Sequence, residues 1–330
     1  MITLLFRTDV HVADHNPASW KGDYRSEVLS CLEQIGDIAR ENDVDAVIDG
    51  GDFFHVKAAS RNSHALVREV VEIHKSYPCP VYGIEGNHDL RHNNHDSLDS
   101  QPLGVLYAAG VFHHLRDHTF QDQFGTSVRV VGTPYKAGAA LSDFQGIHKG
   151  SEDYLVSVAH ILATENPVVG SASSFIGDTI FKYSDLVWPG CPDFWCFGHW
   201  HKDQGVCAQY DGDRRVHFVN QGSVSRGALN ADNLERVPKV ALLKFETSLA
   251  SVDLVELKVS EAAEVFDIQK KSRQVRRDAV IEQFITRLVK DGVGDSMGTP
   301  EDAIAKLEFA RDVQEGALEY LERARSERKK

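Results

Sequence analysis

The chain has 330 residues, 42% of them hydrophobic, and a formal net charge of −13. That length and apolar content allow one full-sized core with a smaller appendage. The acidic balance excludes a protein that coats nucleic acid by bulk basicity, since phosphate contacts need positive charge. An enzyme acting on nucleic acid stays open, because bound metal cations can supply that charge locally. The sign is uneven: residues 270–330 carry 14 Lys/Arg against 12 Asp/Glu, about +2, which leaves about −15 on the rest.

Ile2–Phe6 is a short apolar run closed by Arg7 and Asp9, and it reads as a buried first strand rather than a signal peptide. Residues 26–40 place Val28, Leu32, Ile35 and Ala39 on one helical face, and Ala46–Ile48 returns as a strand. Leu66, Val70 and Ile73 repeat the helical spacing before a strand at Val81–Ile84. Further strands are expected at Val128–Val131, Leu155–Val158, Phe194–Phe197, Val216–Val219 and Val240–Phe245. Alternating strand and helix signals of this kind predict a layered α/β sandwich.

Beyond about residue 260 helical spacing takes over, as at Ile281, Phe284, Ile285, Leu288 and Val289. Thr299-Pro300-Glu301-Asp302 is a helix start, with Thr as cap, Pro at the first helical position and acids against the dipole. The expected division is therefore a catalytic domain over 1–260 and a helical extension over 261–330 with a solvated charged end. No apolar run approaches the roughly 20 residues that span a bilayer, so a soluble cytoplasmic protein without membrane contact is expected. The five cysteines are scattered with no Cys-x-x-Cys pair, which predicts reduced, mostly buried thiols.

Five polar motifs each follow directly on an apolar run: Asp9-Val-His11, Gly51-Asp52, Gly86-Asn87-His88-Asp89, His160, and Gly198-His199-Trp-His201. Ligands of open α/β sheets gather beyond the carboxyl ends of the strands, so segments far apart in sequence can converge there. Two divalent cations roughly 3.5–4 Å apart can activate a water and offset charge building on a phosphoryl oxygen. Such a pair needs a bridging carboxylate, and Asp52 is the best placed. In Asp9-x-His11 and His199-x-His201 the two side chains leave an extended strand end on the same side. Asn87 offers a neutral carbonyl oxygen and His160 fills the remaining position, with His113, His114, His118 and His148 as alternatives. Seven N/O ligands without a thiolate suit Mn, Fe or Zn ions better than a structural zinc site.

This series resembles the calcineurin-like metallophosphoesterases over residues 1 to about 225. The resemblance implies a four-layer α/β/β/α sandwich, here with a short helical extension. It also implies one metal held by Asp9, His11, Asp52 and His201, and a second held by Asp52, Asn87, His160 and His199. His88 matches the family's non-ligand histidine, which stabilises the transition state or protonates the leaving oxygen, a role suited to a near-neutral pKa. Asp89 either orients His88 or caps a helix.

Within that family three segments resemble SbcD-type repair nucleases. Gly51-Asp52-Phe-Phe-His55 is similar to Gly-Asp-x-Phe-His, whose extra histidine helps position DNA, although a lone His after a strand can equally be a solvated residue. Asn220-Gln221-Gly222-Ser223 with Arg226 is similar to a Pro-Gly-Ser segment with a nearby arginine, with Gln221 in place of Pro. Val237–Glu246 resembles the strand closing the second sheet. The implied activity is a Mn-dependent DNA exonuclease/endonuclease in repair or recombination, with His88, His55 and Asp89 as catalytic candidates and Ser223 and Arg226 as substrate contacts. The implied partners are DNA, an SbcC-type coiled-coil ATPase and a second copy of the chain. The residues after the core are too few, and too helical, for the family's capping domain. The basic cluster Lys270-Lys-x-Arg273-x-x-Arg276-Arg277 is the candidate docking element for the ATPase, or else one face of a helix pair packed on the core. A small-molecule phosphodiesterase or phosphatase of the same fold, and a non-catalytic DNA-end-binding scaffold, are the competing readings.

Overall fold

The computed structural model describes residues 1–166, 178–269 and Leu318. The chain forms two compact units, Met1–Phe266 and Asp267–Lys330. The expected tail elements, including the basic cluster at 270–277 and the helix start at Thr299, lie outside the described residues.

The first unit begins with strand β1 (Ile2–Arg7), helix α1 (Tyr24–Glu41), β2 (Ala46–Asp49), α2 (His64–Lys75), β3 (Val81–Gly83) and α3 (Pro102–Ala108). Both long helices start on a side-chain cap: Asp23 accepts from the Ser26 amide and Ser63 from the Leu66 amide, each at 3.1 Å. Strands β4 (His113–His114), β5 (Asp117–Gln121), β6 (Ser127–Thr133), β7 (Tyr154–His160), β8 (Leu162–Thr164), β9 (Ile180–Lys182) and β10 (Phe194–Gly198) follow. The unit closes with β11 (Gly205–Asp211), β12 (Arg214–Asn220), α4 (Ala231–Glu235), β13 (Lys239–Phe245), β14 (Ala250–Glu256) and α5 (Ala262–Val265).

Two six-stranded sheets result, in the orders β14-β13-β1-β2-β3-β4 and β11-β12-β10-β7-β6-β5, with β8 and β9 as a separate pair. Alternation along the strands builds the layers. Leu5, Val47, Val81 and Leu242 face α1, α2 and α3 through Leu32, Ile35, Val70 and Leu106. Leu4, Phe6, Ile48, Val130, Val156, Val158 and Leu243 form the core between the sheets. Trp195, Phe197, Val216 and Phe218 face outward from the second sheet and are covered by Phe144, Phe181, Tyr183 and Leu186. The two-sheet α/β sandwich is the one expected from the sequence; among the described residues the outer face of its second sheet is covered by 3-10 turns at Leu141–Asp143 and Tyr183–Leu186 with the β8–β9 pair. Aromatic side chains cover the sheet there.

The edge strands β5, β11 and β14 go beyond the apolar runs of the sequence. Each mixes exposed and half-buried residues along its length, because an antiparallel edge faces water on one side. The core also continues past residue 260 to Phe266. Val265 and Phe266 are buried, Phe266 bridges Trp20, and the Lys21 amide donates to the Val265 carbonyl at 2.7 Å.

Candidate metal centre and active site

Strand register brings the five motifs together. Parallel pairing sets Arg7 opposite Asp49 and Asp49 opposite Gly83, so Asp9, Asp52 and Asn87 all follow strand ends at one edge of the first sheet. In the second sheet Gly198 is opposite His160, which aligns His199 with it. The loops are then stitched to one another: Asp9 N donates to Gly51 O at 3.0 Å, His11 N to Asp52 O at 3.1 Å and Ser223 N to His201 O at 3.0 Å. Gly86 lies so close to Asp52 that a Cβ would strike both its amide nitrogen and its carboxylate, and a Cβ on Gly198 would strike Thr8 and Gly50. Asp9, His11, Asp52 and His199 all have positive φ, between 51° and 85°. Non-glycine residues pay for that conformation, and such strain concentrates at functional sites.

The ligand atoms of Asp9, His11, Asp52 and His201 lie within 4.8 Å of one another, as do those of Asp52, His160 and His199. Asp52 belongs to both groups, as a bridging carboxylate must. His11 Nε2 and His201 Nε2 are 2.9 Å apart, with Asp9 Oδ1 3.5 Å from His201 Nε2 and Asp52 Oδ2 3.8 Å from His11 Nε2. The contact between the two imidazoles is a hydrogen bond with one of the rings as donor, and the four groups together are a donor set that a divalent cation could share. Asp52 Oδ2, Asn87 Oδ1 and His160 Nε2 are buried without a hydrogen-bond partner, although His160 Nε2 and Asp52 Oδ2 stand 3.4 Å apart. Buried polar atoms are almost always paired, so these three are the atoms a second cation would satisfy. His160 Nδ1 donates to the Gly50 carbonyl at 2.8 Å, which makes Nε2 the lone-pair nitrogen of the neutral ring. The donor set fits two divalent ions. Among the alternatives to His160, His114 instead meets Glu85 and stacks on Tyr107, and His113 and His118 lie against Tyr82.

Without cations the site's charges pair with one another. Burial opposes a charged His160, but the Asp52 carboxylate outweighs it and pushes the imidazole up to about 9. Asp52 is held well below the usual carboxylate range, against its burial, by His160 and then by His11 and His88. A histidine raised from 6.5 to about 9 contributes stability that is complete below 6.5 and lost as pH rises through 9. The metal-free protein is therefore expected to lose thermal stability across that window in a chelator-containing pH series. The same proton competes for Nε2, so divalent-ion affinity should rise over the same range.

His88 sits beside the first group, its ring centroid 4.8 Å from that of His11. Its amide donates to Asp52 Oδ1 and its Nδ1 to the His55 carbonyl, both at 2.6 Å. His55 stacks on His88 at 5.4 Å, with its Nδ1 3.4 Å from His11 Nδ1. Asp89 takes neither role expected of it. Its carboxylate accepts from the backbone amides of Phe53 at 3.1 Å, Phe54 at 3.1 Å and Gly86 at 2.9 Å, and so clamps the two ligand turns together. Ser223 and Arg226 are corrected outright. They are 1% and 3% exposed. Ser223 Oγ pairs with the Ser225 carbonyl and Arg236, and Arg226 with Glu27 and the Ser260 carbonyl. Neither is presented to a substrate.

One contact was not legible from motifs. Asp178 Oδ2 accepts from His199 Nε2 at 3.1 Å, and its Oδ1 accepts from the Tyr135 hydroxyl at 2.8 Å. A lone Asp outside any recognisable run carries no sequence signal.

Among known proteins, the chain is similar in structure to an archaeal phosphodiesterase at 12% identity, over 77% of this chain and 100% of that one, with a TM-score of 0.36. It is also similar to a protein of Thermus thermophilus at 14% identity, over 77% and 98%, with a TM-score of 0.42. The family model for calcineurin-like phosphoesterases matches residues 2–203, which hold all seven proposed ligands and His88. With more than half of the chain matched, this protein belongs to the calcineurin-like phosphoesterase family, hydrolases of phosphoesters.

Proposed function

We propose that the protein is an SbcD-type DNA nuclease, a Mn²⁺-dependent hydrolase of phosphodiester bonds acting in repair or recombination. The observation that carries the reading is His55, which closes the Gly51-Asp52-Phe-Phe-His55 segment and stands exposed at the rim, stacked on His88 and beside His11. With His201 49% exposed as well, the rim is accessible to a phosphodiester carried on a long polymer.

The chemistry supplied by two bound divalent cations is activation of an attacking water and neutralisation of phosphoryl charge. Asp9, His11, Asp52 and His201 would hold one, and Asp52, Asn87, His160 and His199 the other. His88 carries a proton at Nδ1 for the His55 carbonyl, so protonation of its Nε2 makes an imidazolium that can give that proton to the leaving 3′ oxygen. The His55 carbonyl sets the angle of the ring. The same proposal includes cytoplasmic action, a homodimer, and an SbcC-type ATPase docked through the basic cluster at 270–277.

A smaller phosphodiester is the second reading, and it is favoured by the burial of Ser223 and Arg226, which withdraws two expected DNA contacts. A Mn²⁺ titration with end-labelled duplex DNA, single-stranded DNA and a chromogenic phosphodiester separates the two. DNA cleavage is expected, reduced about 10²- to 10⁴-fold by His88→Asn. Intact DNA alongside brisk hydrolysis of the small ester would select the second reading.

A further inference from the structure

We propose that Asp178 is a positioning residue for the half-site of Asp52, His160 and His199, holding the His199 ring so that Nδ1 serves as the ligand to a divalent cation. The assignment rests on the two-metal reading above. A carboxylate only accepts, so the 3.1 Å contact with Asp178 Oδ2 makes Nε2 the protonated nitrogen of His199 and places the lone pair of the neutral ring on Nδ1. The other carboxylate oxygen is held by the Tyr135 hydroxyl at 2.8 Å.

Tyr135 is itself anchored through both its backbone N–H and its carbonyl. Its amide donates to the Glu85 carbonyl at 2.8 Å, and its carbonyl accepts from His95 Nε2 at 2.9 Å. Its ring lies 5.5 Å from that of His199. The chain Tyr135–Asp178–His199 thus starts from fixed backbone.

Strand register explains how Asp178 arrives there. Leu162, the first residue of β8, is opposite Ile180, the first residue of β9; two positions before these starts lie His160, the last residue of β7, and Asp178. The β8–β9 pair therefore carries Asp178 alongside the half-site that His160 serves. Asp178 stands outside the group formed by the ligand atoms of Asp52, His160 and His199, so it acts through His199 and not on a cation directly. The two histidines are held by equivalent devices of opposite sense. Backbone oxygen of Gly50 fixes His160 at Nδ1, whereas Asp178 fixes His199 at Nε2. A carboxylate partner also raises the basicity of a ligating imidazole, and losing such a partner costs about 10- to 100-fold in metal affinity.

The test is calorimetric titration of the metal-free full chain with Mn²⁺ alone, for the wild type, Asp178→Asn and Tyr135→Phe, with a melting curve for each. Two sites are expected in the wild type. In Asp178→Asn one of them should be unchanged and the other weaker by about 10- to 100-fold, with the metal-free melting temperature retained. Tyr135→Phe should weaken the same site by a smaller factor. Two wild-type affinities in Asp178→Asn would overturn the assignment, as would equal weakening of both sites together with a lower melting temperature. A wild type that binds fewer than two ions would remove the two-metal reading, and the assignment with it.

Discussion

Asp52→Asn is expected to lower phosphodiester turnover about 10³- to 10⁵-fold: with Asp52 as the proposed bridge, its loss would cost the several kcal/mol of transition-state stabilisation that well-placed cations supply, and each ~1.4 kcal/mol is a factor of ten. Asp52 is the one residue common to the two main ligand groups, Asp9–His11–His201 and His160–His199. The substitution is nearly isosteric, and the side-chain oxygen can still accept from the His88 amide, now at 2.6 Å. What changes is Oδ2, which stands 3.4 Å from His160 Nε2 and 3.8 Å from His11 Nε2. Replaced by an amide NH₂, it turns from an anionic acceptor into a donor facing the space between the two groups. Hydrolysis of a chromogenic phosphodiester with Mn²⁺ checks the rate, and metal analysis of the same samples should give fewer than two ions per chain. Turnover within tenfold of the wild type would show that Asp52 does not bridge.

The second large effect lies behind the site. Arg7→Met is expected to destabilise the protein by about 3–5 kcal/mol, the cost of leaving a buried charge without its partner. At ~2–4 °C per kcal/mol for a domain of this size, the melting temperature should fall by about 6–20 °C. Arg7 and Asp49 are both essentially unexposed and meet at 2.8 Å. The guanidinium also donates to the Tyr77 hydroxyl at 3.0 Å and to His74 Nε2 at 2.8 Å. His74 accepts there because its Nδ1 donates to the Val70 carbonyl at 2.7 Å. Burial and the nearby guanidinium hold that imidazole neutral, well below its ordinary range. Phe53, Tyr77 and Phe112 surround the guanidinium carbon at 5.3 to 5.8 Å.

Without Arg7, the donor left to the Asp49 side chain among the described residues is the Gly51 amide, at 3.0 Å from Oδ1. That amide lies one residue before Asp52, the proposed bridge, so the loss reaches the candidate site as well as the core. Burial already pushes the Asp49 carboxyl upward, with Arg7 pulling it back. A double variant, Arg7→Met with Asp49→Leu, should recover much of the lost stability, since it removes both charges together. Denaturant unfolding of the two variants measures the difference. A cost below about 1 kcal/mol for Arg7→Met alone would contradict the role given to this network.

The two-sheet α/β sandwich and the convergence of the five strand-end motifs were both legible in the sequence. Asp9, Asp52, Asn87 and His199 follow strands and His160 ends one, and the convergence of such ends is a property of parallel register that apolar runs in sequence make visible. The weakly patterned edge strands β5, β11 and β14 escaped because half of each faces water. The 3-10 turns and aromatic side chains that cover the second sheet among the described residues leave no helical period to read. Ser223 and Arg226 show a different limit. A short polar segment after a strand looks the same whether it faces a substrate or a buried Glu27, and only packing separates the two. Asp89 was placed beside His88 by adjacency in the chain, yet backbone amides at Phe53, Phe54 and Gly86 claim its carboxylate. Asp178 lies two residues before β9 and meets His199 across the fold, a long-range contact with no local signature.

The most direct test of the two-metal centre is an anomalous-difference map from crystals of the full chain grown or soaked with Mn²⁺. Two peaks about 3.5–4 Å apart are expected, one bounded by Asp9, His11 and His201, the other by Asn87, His160 and His199, with Asp52 reaching both. A single peak, or two peaks that do not share Asp52, would contradict it.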